Sequence, residues 1–170
     1  METDPIPFLE PTAIPVWVIA ARLLCAAVVG GLIGFERELE QHSAGLRTHM
    51  LVALAAAVFS ILMLEVLHLP LPDPDRVRID PIRVLEAVTA GVAFLAAGSI
   101  IRAGGTVRGL TTGAGLWLAG ALGSACGLGY IVIALLAAAI GLVVIVVLRY
   151  LDGLVSKARR ARKRHLPADD

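Results

Sequence analysis

The chain has 170 residues, 58% of them hydrophobic and 17% charged, with a formal net charge of +1 and a mean hydropathy of +0.83. So apolar a composition, gathered into long blocks, excludes an ordinary soluble domain and predicts an integral membrane protein. Only two cysteines are present, Cys25 and Cys126, both inside apolar blocks, which excludes a disulfide framework and a cysteine metal cluster.

A helix needs about 20 apolar residues to cross the hydrocarbon core, and five blocks meet that measure: 16–35, 46–67, 82–101, 110–127 and 130–148. The expected fold is therefore all-α, a polytopic membrane protein with a bundle of about five transmembrane helices over 16–149. An external segment, 1–15, precedes it, and a basic cytoplasmic tail, 150–170, follows. The first segment carries Glu2, Asp4 and Glu10, four prolines and no basic residue, unlike the n-region of a signal peptide, so the first span is expected to be retained.

In span one, Ala26, Gly30 and Gly34 recur every four residues and put small side chains on one helical face, where a neighbouring backbone can approach. Arg22 lies about two turns inside the same span. It is costly there unless it snorkels to headgroups or finds a partner.

The hinge that follows, from Gly34 to Met50, concentrates charge between two apolar runs. Glu36, Arg37 and Glu38 close span one, and Arg47, Thr48 and His49 open span two. Basic residues placed opposite Glu36 and Glu38 across a short connection predict an ion-pair network.

The second connection, 68–81, is rich in proline and aspartate and reads as a solvated external loop. Asp73 and Asp75 are the kind of carboxylates a hard cation would take, but Arg76 and Arg78 beside them favour a plain solvated loop. Asp80 followed by Pro81 predicts a helix start, with Asp80 as N-cap and the proline at the first helical position.

Glu86 lies about one turn inside span three, and an intramembrane carboxylate calls for a partner. Arg83 is three residues earlier on the same face, Arg22 is expected at the same depth, and Glu65 could join them. The Arg22 and Glu86 pair is the stronger expectation, as a structural clamp or as an ion relay.

The third connection, Arg102 to Gly109, combines glycines with Thr106 and Arg108 just before a helix start, the ingredients of an anion site. It lacks the Gly-Lys-Ser/Thr ending of a nucleotide-binding loop, so ATP and GTP are not expected. Span four has Gly115, Ala119, Gly123 and Gly127 at four-residue steps and should be the most tightly packed helix, with Trp117 packed rather than at an interface. Span five ends in branched residues suited to lipid, and its tail, Lys157 to Arg164, suits an anionic lipid surface. The tail is too short for a nucleic-acid role.

Basic residues set the orientation. Eleven of the Lys and Arg residues flank the hinge, the third connection and the tail, against three, Arg76, Arg78 and Arg83, on the other side. The positive-inside rule then puts the N-terminus outside and the C-terminus in the cytoplasm.

Three ordered stretches carry a family resemblance. They are Gly34-Phe35-Glu36-Arg37-Glu38 with Ala44-Gly45-Leu46-Arg47-Thr48-His49-Met50, then Asp80-Pro81-Ile82-Arg83, then Gly104-Gly105-Thr106-Val107-Arg108-Gly109-Leu110-Thr111-Thr112. Together they resemble the MgtC/SapB family of bacterial inner-membrane proteins, in a short form without the soluble C-terminal domain. The chain departs from the family pattern at Ala93 and Ala96, where glycines are common, and at Ala87, where a glutamine is common.

The resemblance implies a non-enzymatic modulator of other membrane proteins, linked to magnesium limitation or stress adaptation and, in pathogens, to virulence. The alternative is a magnesium or proton transporter or channel, with its path formed between subunits of a homo-oligomer. The expected partners are the lipid bilayer, another integral membrane protein and further copies of the chain. No catalytic set and no ligand cluster with transition-metal spacing is visible, so neither an enzyme nor a cofactor is expected. The expected working surface is Glu36, Arg37, Glu38, Arg47, Thr48, His49, Thr106 and Arg108, converging on the cytoplasmic face.

Overall fold

The computed structural model describes residues 11–39, 44–69, 80–103 and 106–164. Within them the chain forms five helices: α1 (Val16–Leu39), α2 (Leu46–Leu67), α3 (Pro81–Gly98), α4 (Leu110–Leu128) and α5 (Ile131–Arg164). Between α3 and α4 a short antiparallel ribbon joins β1 (Ile101–Ala103) to β2 (Thr106–Arg108), in the register Ile101 to Arg108 and Ala103 to Thr106. The third connection is thus a small hairpin. The external loop with Asp73 and Asp75, and the glycines Gly104 and Gly105, lie outside the described residues.

By length and composition α1, α2 and α3 can each cross a membrane, and α5 contributes the apolar stretch Ile131–Val147. α4 is poorer in large apolar residues but central, packing against all four other helices. Two small-residue stripes explain the arrangement. A β-carbon at Gly30 of α1 would come within 2.7 Å of the Ala53 β-carbon and the His49 carbonyl on α2, and one at Gly127 of α4 within 2.8 Å of the Ala57 α-carbon. α2 is therefore clasped between α1 and α4 at backbone contact distance. Ala26, Val29, Ile33, Ala57, Leu122 and Cys126 fill the resulting core together with Ala134 and Ala138 of α5. A smaller cluster, Val52, Val92, Leu116 and Ala119, ties α3 to α2 and α4.

The helix ends follow local chemistry. Asp80 caps α3 as expected, its carboxylate accepting from the Ile82 amide at 3.0 Å with Pro81 at the first helical position. α4 begins after Gly109 and ends at Gly129, both left-handed at φ 87° and 89°, conformations that suit glycine. Past α4 the Tyr130 amide donates to the Ala125 carbonyl at 2.8 Å and the Gly129 amide to Cys126 at 3.0 Å, the paired bonds that close a helix C-terminus. α5 runs unbroken through Arg149 to Arg164, so the backbone does not mark the expected start of the tail at residue 150.

One expectation needs correction. Trp117, expected to pack, is 56% exposed and lines a cleft between α3 and α4, because the α4 face turned to α1 and α2 is taken by its small residues. Cys25 and Cys126 are neighbouring free thiols with their sulfurs 3.6 Å apart on α1 and α4.

Candidate functional site

α1 and α3 end, and α2 and α4 begin, at the same end of the bundle, and α5 arrives there from the far side. The polar and charged residues at the two ends of the bundle sort into three groups by what they touch.

The first group caps helices. Glu38, near the end of α1, turns its carboxylate onto the start of α2 and accepts from the Leu46 amide at 3.0 Å. Gly45, the N-cap itself, has no side chain to do this, and a β-carbon on it would run into the Glu38 carboxylate. The negative charge also suits the positive end of the α2 dipole. At the far end Glu65 accepts from the amides of Ala13 and Ile14 at 2.7 and 3.0 Å, fixing the chain as it enters α1.

Arg22 belongs to this group as well. Its guanidinium donates to the Gly127 carbonyl at 2.9 Å, a cation at the C-terminal end of α4. The expected coupling of Arg22 with Glu86 is not formed. α1 packs on α2, α4 and α5 while α3 packs on α4 and α2, so the two residues stand on helices without a shared contact face. Glu86 is exposed on α3, and Arg83 faces Asp80 at 3.9 Å instead.

The second group is buried. Glu36, Arg37 and His49 are 8%, 4% and 0% exposed. Glu36 faces Arg37 at 3.5 Å on one carboxylate oxygen and accepts from Arg149 of α5 at 3.3 Å on the other. His49 lies where α1, α2 and α4 meet: Gly30 and Gly34 of α1 abut its backbone and β-carbon, and Gly115 of α4 faces its Nε2. The imidazole Nδ1 is 2.9 Å from the Gly45 carbonyl. A carbonyl can only accept, so Nδ1 carries the hydrogen. Nε2 is buried and has no hydrogen-bond partner among the described residues, an uncommon state for a polar atom.

The third group is exposed at the same end: Arg47 and Thr48 in the first turn of α2, and Thr106 and Arg108 on β2. The expected network joining Arg47 and His49 to Glu36 and Glu38 is therefore replaced by other pairings. A helix turns about 100° per residue, so Arg47 points outward while His49, two positions on, points inward. The sequence did not reveal that Arg149 completes the Glu36 pair. Its only signal was a lone arginine at the end of an apolar block.

Among the described residues no group of three or more His, Cys, Asp or Glu could hold a metal ion. Beyond His49 and Thr112, moving away from the hinge end, the buried polar side chains among the described residues are Ser60 and Ser124. The Ser60 hydroxyl is turned onto its own helix, donating to Ala56 at 2.9 Å.

Comparison with known proteins gives a consistent result. A model of the MgtC family matches residues 23–154. The chain is 44% identical over 108 residues to Protein MgtC of Salmonella typhimurium, covering 64% of this chain and 42% of that protein. It is 45% identical over 112 residues to Protein MgtC of Brucella abortus, covering 66% and 43%. An uncharacterized Synechocystis protein, slr0014, is 38% identical over 135 residues, covering 79% and 54%. The chain thus spans about half the length of the curated relatives it matches. No solved structure matches.

Proposed function

The chain belongs to the MgtC family, and from that membership and the geometry of the hinge end we propose that it is a non-enzymatic modulator of other membrane proteins, acting under magnesium limitation or stress. The observation that carries this reading is the separation of polar from apolar along the bundle. Charged side chains lie toward the two ends of the bundle, and at the hinge end Arg47, Thr48, Thr106 and Arg108 are exposed to a partner. An ion crossing the chain would need ligands along its path, and past the hinge end the described core is apolar, with Met63 and Cys126 among its alanine, valine, isoleucine and leucine and only Ser60 and Ser124 as buried polar side chains among the described residues. The excess of basic residues at this end supports an inner-membrane orientation with the hinge end in the cytoplasm.

One observation favours ion movement instead: the buried Nε2 of His49, without a hydrogen-bond partner among the described residues, a group suited to passing a proton if a path were completed between subunits. Magnesium and proton flux in proteoliposomes separates the two readings. The modulator reading expects no flux above protein-free vesicles, together with a stoichiometric membrane partner that co-purifies with the wild type and is lost with Arg47→Ala and Arg108→Ala. Robust wild-type flux that His49→Leu abolishes overturns it.

A further inference from the structure

Between α2 and α3 runs an open groove of about 800 Å³. Leu51, Ala55 and Phe59 of α2 face Ala87, Gly91 and Leu95 of α3 across it, and its walls are apolar between Thr48 and Arg83. An arginine stands at each end, and the two differ. Arg83 has the Asp80 carboxylate 3.9 Å away, whereas Arg47 has no carboxylate within ion-pair range among the described residues.

At the Arg47 end the groove continues, past Thr48 and Leu95, into a recess of about 450 Å³ that reaches Ser99. Gly109 packs directly on the carbonyl of Ser99, a residue that lines that recess, so the end of the ribbon that carries Arg108 lies near it. Among the described residues, one end of the groove thus has a carboxylate facing its arginine and the other has none.

We propose that this groove binds an anionic phospholipid, with the headgroup phosphate at Arg47 and Thr48, flanked by Arg108, and one acyl chain laid between α2 and α3. Charge decides the direction in which the lipid lies, since among the described residues the Arg47 end offers a phosphate cations that face no carboxylate. From Arg47 to Phe59 the groove runs about 18 Å, room for one acyl chain, which fills roughly the 15 Å half-thickness of the hydrocarbon core.

The test is headgroup selectivity of retained lipid. The full chain is reconstituted in vesicles of equal parts phosphatidylglycerol and phosphatidylcholine with identical acyl chains, extracted into mild detergent and weighed by native mass spectrometry. The wild type should retain phosphatidylglycerol over phosphatidylcholine. Arg47→Gln should lower that preference about fivefold, and Arg108→Gln, on the exposed ribbon, should lower it in the same direction and stands in if the first variant is unstable.

Gly91→Leu tests the groove itself. A β-carbon there meets nothing within 4 Å, so the larger side chain enters the groove without displacing backbone and should reduce retention of both lipids. Equal retention of the two lipids by the wild type, or undiminished retention by Gly91→Leu, overturns the proposal. A dimer that Gly91→Leu dissolves while lipid retention persists also overturns it, assigning the groove to a second copy.

Discussion

Glu36 and Glu38 stand two residues apart on α1 and do different work. Glu36 is buried and holds Arg37 and Arg149, whereas Glu38 is exposed and closes the start of α2. Removing one member of a buried ion pair leaves its partner uncompensated, so Glu36→Ala should cost about 3 kcal/mol or more. Losing a helix cap costs about 1 kcal/mol, which sets the expectation for Glu38→Ala. Unfolding in detergent measures both, and equal losses would place the two carboxylates in one role. A second contrast concerns Arg22 and Glu86. Arg22→Leu should cost about 1 kcal/mol through loss of the α4 terminus contact, Glu86→Ala should fall within about 0.5 kcal/mol of wild type as an exposed site, and the double variant should be additive. A coupling above about 0.5 kcal/mol would show that the two residues meet.

Among the elements, α2 is the one with least freedom to move, because glycine stripes of α1 and α4 close on it from both sides. Gly30→Ala would place a methyl 2.7 Å from the Ala53 β-carbon, and overpacking of this kind costs about 1 to 3 kcal/mol. Gly91 and Gly98 of α3 have open space around the same atom. Alanine there should be neutral or stabilise by up to about 1 kcal/mol through better helix propensity. Melting temperatures of the four single variants at Gly30, Gly127, Gly91 and Gly98 should therefore split into two lowered and two unchanged or raised. A fall at Gly91 of the size seen at Gly30 would mean that α3 is packed as closely as α1, against the loose seat that leaves the groove open.

For the molecule as a whole, the two charged ends and the apolar middle define the bundle axis, and the excess of basic residues at the hinge end gives it a direction. Topology reporters fused after Leu39 and after Leu69 should report opposite sides, the first cytoplasmic. The reverse assignment would move Arg47, Thr48, Thr106 and Arg108 outside and remove any cytoplasmic partner from consideration. The same axis separates the two bonding regimes. At both ends stability rests on a few charge-assisted contacts, those of Glu36 and Glu38 at the hinge end and of Arg22 and Glu65 at the other, and between them on close packing of small residues.

Much of this was legible in one dimension. Long apolar blocks gave the helices, since a chain in lipid must satisfy its backbone within each segment. The four-residue stripes marked the close-packed faces of α1 and α4, and Asp80 with Pro81 marked the start of α3, because caps and small-residue faces are local signals. The partners of the charges were not legible. Arg22 belongs with Gly127, 105 positions away, and Glu36 with Arg149, 113 positions away. Depth in the bilayer suggested Glu86 for Arg22, but depth is one coordinate, and which helices share a face is set by packing around the bundle axis. The adjacency of Cys25 and Cys126, the burial of His49 beside an exposed Arg47, and the open groove along α3 all depend on that second coordinate, which only the tertiary structure supplies.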